Sequence, residues 1–240
     1  GRSGPVRRAP WRRSLARGAD DFSVKLSRRV SALSTRIAGR KLTGMASRPP
    51  RSPRALAAAL KHLARVSAPE AGGDGLTANQ WTALRYFAEA NRFSRTVSGF
   101  AAYNATTRGT ASQTIKALET QGYLTRTRYD RDARSARIDL TEAGWSKLAA
   151  DPSQALIHAL AQLPNSLRGQ FDRAVERLTS WVAATRAHDA FGTCAGCRYL
   201  QLGASATARA GPAYCRMVAA HLERADMRGL CALYAPTGVR

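Results

Sequence analysis

The sequence predicts a mainly α chain with one small β-hairpin, and three observations carry that expectation. Apolar residues recur at three- and four-residue steps through several long segments. Two strand-like runs, Tyr123–Arg128 and Ala136–Leu140, flank a charged tip holding Asp130, Arg131, Asp132 and Arg134. Gly122 closes the helical run that precedes the first strand, as a left-handed C′ residue would. Helix, then a hairpin with a basic tip, is the layout of a winged helix. In that layout the helix enters a DNA major groove and the hairpin reaches the neighbouring minor groove or the backbone.

The first 50 residues read as a basic, disordered extension. Residues 1–44 hold twelve Arg and Lys against Asp20 and Asp21, a net +10 of the chain's +22. The first methionine is Met45. We expect 1–44 to be an extension upstream of the natural start, a DNA-binding arm or an organelle transit peptide, all of which suit an Arg- and Ser-rich segment. Pro49, Pro50 and Pro53 separate it from a folded part.

Arg54–Val66 places apolar residues at 56, 60, 63 and 66, a helical stripe. A glycine-rich loop at 71–75 follows. Thr77 is placed to cap a helix over 78–90, where Trp81, Leu84, Tyr86 and Phe87 are core candidates. A short helix is expected at 96–104. The next helix, Thr107–Gln121, puts Ile115 and Leu118 on one face and Arg108, Ser112, Gln113 and Lys116 on others. Short polar side chains among cations suit phosphates and base edges. Helical segments over 142–150 and 153–187 follow, with Pro164 between two pieces. Leu167, Phe171, Val175, Leu178, Trp181 and Val182 form a stripe that needs a partner, either the helix 54–66 or a second subunit.

Hydrophobic residues make up 44% of 240, enough for a core. The strong positive charge favours a polyanion, above all nucleic acid. No apolar run approaches the roughly 18 residues of a transmembrane helix, and the amino end lacks the apolar stretch of a secretory signal. No enzyme motif is visible.

The segments Leu76-Thr-Ala-Asn-Gln-Trp-Thr-Ala-Leu84, Ser112-Gln-Thr-Ile-Lys-Ala-Leu-Glu-Thr-Gln-Gly-Tyr-Leu124, Asp130-Arg-Asp-Ala-Arg-Ser135 and Ile138-Asp-Leu-Thr-Glu-Ala-Gly144 together resemble the MarR family of bacterial winged-helix regulators. The resemblance runs from roughly 54 to 187. It implies a homodimer built from the first and last helices, bound to a roughly palindromic operator in double-stranded DNA, in the bacterial cytoplasm and at the nucleoid. It implies that 107–121 is the recognition helix and that Asp132 and Arg134 hold the wing and reach DNA. Ala133 stands where relatives often carry another arginine. The family supplies no catalytic residues. Phosphate contacts are expected from Arg108, Lys116, Arg131 and Arg134, and base-edge contacts from Ser112, Gln113 and Thr114, with Thr107 at the helix start.

Beyond the domain at 51–187, residues 188–240 hold all four cysteines, Cys194, Cys197, Cys215 and Cys231. Such a gathering suggests a shared metal site in a small C-terminal appendage. Four thiolates suit a tetrahedral zinc. They also suit a 4Fe-4S cluster, and a thiol site without metal stays open. Two disulfides do not suit a cytosolic DNA binder. The phrases Cys194-Ala-Gly-Cys197, Tyr214-Cys215-Arg-Met and Gly229-Leu-Cys231-Ala-Leu-Tyr-Ala-Pro resemble the cluster-binding half of high-potential iron–sulfur proteins. That resemblance implies a cubane inside an aromatic shell, here Phe191, Tyr199, Tyr214 and Tyr234. The expected function is a DNA-binding regulator responding to redox, iron or oxygen. The alternatives are a regulator of small-ligand type with structural zinc, and an electron-transfer module anchored to nucleic acid.

Overall fold

The computed structural model describes residues 49, 51–68, 75–129, 132–186, 188–203 and 213–237, with side chains at 128, 129 and 132–135 left aside. The basic extension up to residue 48, Asp130 and Arg131 at the wing tip, and the side chain of Arg134 therefore lie outside the described residues. Contacts divide the chain into two units, 1–63 and 64–240.

Helix α1, Pro53–Val66, crosses that boundary and buries none of its residues. Its stripe of Leu56, Leu60, Leu63 and Val66 is exposed. Helix α2, Ala78–Glu89, begins in a capping box. The Thr77 hydroxyl accepts from Gln80 N, and Gln80 Oε1 accepts from Thr77 N. These bonds satisfy two amides that a helix start leaves without partners. At helices α3, Val97–Tyr103, and α4, Arg108–Thr120, the hydroxyls of Thr96 and Thr107 likewise accept from first-turn amides. Ala111, Ile115 and Leu118 give α4 its buried face, spaced for one side of a helix.

The end of α4 sets up the wing. Tyr123 N donates to Leu118 O at 2.9 Å and Gly122 N to Glu119 O at 3.0 Å. With Gly122 at φ +76° this is a Schellman turn, which glycine adopts without the Cβ penalty. Strand β1, Leu124–Tyr129, then pairs antiparallel with β2, Asp132–Leu140, in the register Leu124↔Leu140 and Arg126↔Ile138. The strands run closer to the tip than the apolar pattern indicates. Backbone pairing continues where charged residues hide the alternation. Thr141 joins this corner to α5, Glu142–Ala149. Its hydroxyl accepts from Gly144 N at 3.1 Å and donates to Gly122 O at 2.6 Å.

The core of this lobe is Trp81, Leu84, Tyr86, Phe87, Phe100, Ile115, Leu118, Leu124 and Ile138. Helices α6, Gln154–Ala161, and α7, Asn165–Thr185, follow, with Pro164 just before α7. The apolar stripe of α7 stays open to solvent, with Trp181 68% exposed. The C-terminal segment forms a three-stranded antiparallel sheet, β3 Leu200–Leu202, β4 Ala213–Cys215 and β5 Ala220–Leu222, and a short helix α8, Arg224–Arg228. No helix among the described residues is long and apolar enough to cross a membrane.

Candidate nucleic-acid interface and cysteine site

Helix α4 presents Arg108, Gln113 and Lys116 to solvent, with Ser112 and Thr114 half-buried. A cleft of about 500 Å³ lies beside the wing, lined by Ser98, Arg108, Ser112 and Arg126 among others. Arg108 and Ser112 are thus brought together, while Gln113 and Lys116 lie outside this lining. Two hydroxyls are engaged locally. Thr107 Oγ1 caps the helix by accepting from Thr110 N at 3.1 Å. Thr114 Oγ1 donates back to Thr110 O, also at 3.1 Å. Arg126 was not among the residues expected at the interface. It stands on β1, and Glu119 holds its guanidinium through bonds of 3.0 and 3.3 Å. The run Thr125-Arg126-Thr127-Arg128 reads equally as a solvated strand face, so sequence alone gives no reason to choose it.

The wing is tied to the loop between α2 and α3. Ile138 N donates to Arg95 O at 2.9 Å, and Arg95 bonds Asp139 at 2.6 Å. Arg137 also pairs with Asp139. Burial by itself would raise the Asp139 carboxyl, but the hydrogen bonds and charge of Arg137 and Arg95 outweigh it and hold it below the ordinary range.

The four cysteines are free thiols. Cys194 is buried and the others half-buried. Burial first, then the fields of Cys231, Cys197 and Cys215 and finally Asp226, push the Cys194 thiol up to about 11. Cys215 packs into the same small apolar cluster as Cys194. Cys197 N donates to Cys194 O at 3.1 Å across a turn that has Gly196 at φ +81°. Cys215 pairs with Leu200 across β3 and β4, and Cys231 N donates to Gly192 O at 2.8 Å. Among the described residues, no group of three or more His, Cys, Asp or Glu side chains is arranged to hold a metal ion.

The expected aromatic shell is only partly at this site. Tyr234 lies over Gly192, whose absent Cβ would come within 2.9 Å of the ring. It donates to Glu176 at 3.0 Å. Burial, then this carboxylate, then Cys197, push its hydroxyl up to about 12. Phe191 meets Tyr103 edge-on, and Tyr214 packs against His221. Tyr86 is the core residue its spacing on α2 indicates, but sequence gives no sign of its tie to the cysteine site. Its ionisation is suppressed by burial and then by the charge Cys231 would carry.

The segment around Cys231 is joined to the winged-helix lobe by backbone pairing. Leu230 N donates to Glu89 O at 2.7 Å and Asn91 N to Leu230 O at 2.9 Å, a parallel bridge. Ala232 N donates to Ser94 Oγ at 2.9 Å. Arg92 adds bonds to His221 O at 2.7 Å and to Glu223, and pairs with Asp226 at 3.4 Å.

A capped helix, a tight turn and a paired hairpin in this order define a winged-helix fold. Within it, residues 74–135, spanning α2 to the first part of β2, match the model of the MarR family. Comparison with curated proteins gives no match. The fold is similar to a point mutant of Staphylococcus aureus MepR, at 18% identity and TM-score 0.40, over 55% of this chain and 99% of that one. It is similar to Streptococcus pneumoniae FabT in complex with DNA, at 16% identity and TM-score 0.40, over 55% and 95%. It is also similar to a MarR transcriptional regulator from Methanosarcina mazei, at 18% identity and TM-score 0.40, over 55% and 96%.

Proposed function

We propose that this chain is a sequence-specific DNA-binding regulator of transcription that acts as a homodimer. The observation that carries this reading is the polar, cationic outer face of α4 beside a paired wing. Arg108 and Lys116 would supply charge to phosphates, and Ser112, Gln113 and Thr114 are the candidates for base-edge contacts. In the sequence, Arg131 and Arg134 add further positive charge between the two strand segments. The apolar stripe of α7, exposed from Leu167 to Val182, is a surface that a second copy would cover. Binding-site selection from random duplexes tests this. Gln113→Ala should change the recovered sequence. Lys116→Ala should weaken all duplexes alike and lower the salt slope by about 0.9. An unchanged selection with Gln113→Ala removes that residue from readout, and indifference of the wild type to duplexes in dilute buffer removes the function.

The finer reading is that Cys194, Cys197, Cys215 and Cys231 hold a 4Fe-4S cluster that makes DNA binding responsive to iron, oxygen or redox state. What supports it is the chemistry of the donors, four free thiols of which Cys194 is buried. A single zinc draws four sulfurs to about 2.3 Å from one point. A cluster spaces its thiolates more widely, because iron and sulfide stand between them. When bound it would stabilise the thiolates and supply one-electron chemistry. The protein's own part is to fix the cysteine backbones and keep water away with Tyr234, Leu222 and Ala213. Anaerobic purification with iron, sulfide and zinc assays tests it, and a colourless protein with stoichiometric zinc overturns it.

A second reading has one observation behind it. A cavity of about 580 Å³ lies between α3 and α7, lined by Tyr103, Leu178, Val182 and Phe191 among others. Its size and apolar walls suit a small aromatic effector. Operator binding titrated with phenolic compounds separates that regulator from a cluster-dependent one.

A further inference from the structure

We propose that the cleft between the wing and the start of α4 seats one backbone phosphate of duplex DNA, held by Arg126 with Arg108, and that Glu119 aims Arg126 into it. The proposal rests on the DNA-binding reading above and adds a contact made from the root of the wing. The cleft measures about 500 Å³, and its lining holds Ser98, Arg108, Ser112 and Arg126 but no acidic residue. Two guanidinium groups in a wall without carboxylates suit a single anion, and their planar donors match phosphate oxygens. Among the described residues, the side chains of Ser98, Arg108 and Ser112 have no hydrogen-bond or ion-pair partner. Their donors are therefore open to a ligand.

Strand register brings Arg126 to this wall. It stands opposite Ile138 across the hairpin, and directly opposed residues share a face of the sheet. Ile138 is fully buried, so Arg126 leaves β1 on the side turned to the lobe. On α4, Arg108, Ser112 and Glu119 recur at helical spacing and form one stripe along the wing. The Glu119 carboxylate accepts from Arg126 Nε at 3.0 Å and from Nη2 at 3.3 Å. This holds one edge of the guanidinium and leaves Nη1 for a phosphate oxygen. In the pair the guanidinium offsets the carboxylate, so orientation outweighs repulsion of the polyanion. Glu119 is thus a positioning residue. Gly109 completes the wall. The nearest neighbour of a Cβ there would be Thr107 Oγ1 at 3.7 Å, an ordinary contact. Packing does not demand glycine at a site where alanine favours the helix, whereas a bare backbone suits the close approach of a ligand.

The test uses the full chain and a labelled mixed-sequence duplex, with affinity read across a salt series and folding checked by urea unfolding. Arg126→Ala should weaken binding about ten-fold and lower the salt slope by about 0.9. Glu119→Ala removes a negative charge, so an electrostatic role alone would tighten binding. With Arg126 no longer aimed, it should instead weaken binding about three-fold, and Glu119→Gln, which keeps an acceptor, should recover part of the loss. In an Arg126→Ala background, Glu119→Ala should weaken binding no further. Tighter binding by Glu119→Ala overturns the aiming role. Wild-type affinity and slope in Arg126→Ala overturn the seat while the DNA-binding reading stands. A wild type indifferent to the duplex defeats that reading, and the seat with it. Inorganic phosphate at constant ionic strength is the second probe. An Arg126→Ala protein that binds duplex like wild type, but loses a melting shift that phosphate gives the wild type, assigns the cleft to a free anion instead.

Discussion

Alanine at position 99 puts the junction between α2 and α3 under direct strain. Gly99 lies in the first turn of α3 with ordinary helical backbone, so alanine gains about 1 kcal/mol of helix propensity. Space opposes that gain. A Cβ at 99 would land on the Tyr86 hydroxyl, 2.6 Å from Ser94 O and 3.2 Å from Thr96 Oγ1. Tyr86 and Ser94 O are themselves hydrogen-bonded at 2.6 Å, so the methyl enters between donor and acceptor. Tyr86 is 1% exposed, and its hydroxyl would be left buried without a partner. That costs about 1–3 kcal/mol, and overpacking adds about 1–3 kcal/mol. Steric strain wins, and Gly99→Ala should lose about 1–5 kcal/mol after the propensity gain, with about 3 kcal/mol at the centre. Tyr86→Phe removes the same hydroxyl without a clash. Ser94 O keeps the Thr96 amide at 2.7 Å, so this change should cost about 1 kcal/mol. The double variant has one obstacle fewer and should be more stable than the sum of the singles by about 1 kcal/mol. Urea unfolding followed by tryptophan fluorescence gives the four free energies. Additive losses, or a Gly99→Ala protein as stable as Tyr86→Phe, would refute the packing argument.

Two further outcomes follow from the charge and the exposed stripe. Burial raises the Asp151 carboxyl, but Arg85 through two bonds of 2.6 Å and Ser153 N at 2.7 Å outweigh it and hold it low. A lowered folded-state value means this pair stabilises fully above about pH 4 and loses its contribution as pH falls through that value. Wild type should therefore lose urea resistance below about pH 4 more steeply than Asp151→Asn, and parallel curves would remove the pair's role. Trp181→Asp should keep its helix content, since the ring is already exposed, yet convert a dimer to a monomer in sedimentation. A variant that still sediments as a dimer shows that α7 is not the contact.

Much of the lobe is legible in the sequence because its signals are local. Ile115 and Leu118 announce the inner face of α4 by spacing, Thr77 and Thr107 announce helix starts, and Gly122 announces the turn. The wing strands look shorter in the sequence because charged residues conceal the alternation while their backbones still pair. Thr107, expected at the interface from sequence, is exposed, and its hydroxyl also caps α4 by accepting from Thr110 N. The connector 90–96 is illegible. It has no periodicity, and its partners are distant: Ser94 meets Ala232, 138 positions away. Backbone bonds between remote segments leave no residue signature, so neither the bridge at Leu230 nor the part of Arg95 is written in a pattern.

The connector also explains why the cysteine segment belongs to the folding unit that contains the wing. A loop between two helices exposes amides and carbonyls that need partners once buried. Here Asn91 N is satisfied by Leu230 O, Arg95 O by Ile138 N, and Ser94 O by Tyr86 and Thr96, so tail, wing and core each supply part of the set. The Asn91 side chain completes the turn by accepting from Phe93 N and Ser94 N at 3.1 Å. Arg92 then leans over Phe93, 4.7 Å from its ring, while its guanidinium reaches Asp226 and Glu223. Phe93 itself packs with Cys194, Cys215 and Leu222. One seven-residue stretch thus faces thiols on one side and the wing on the other. Its geometry cannot relax toward one without altering its bonds to the other, because both sets of partners share the same few peptide groups.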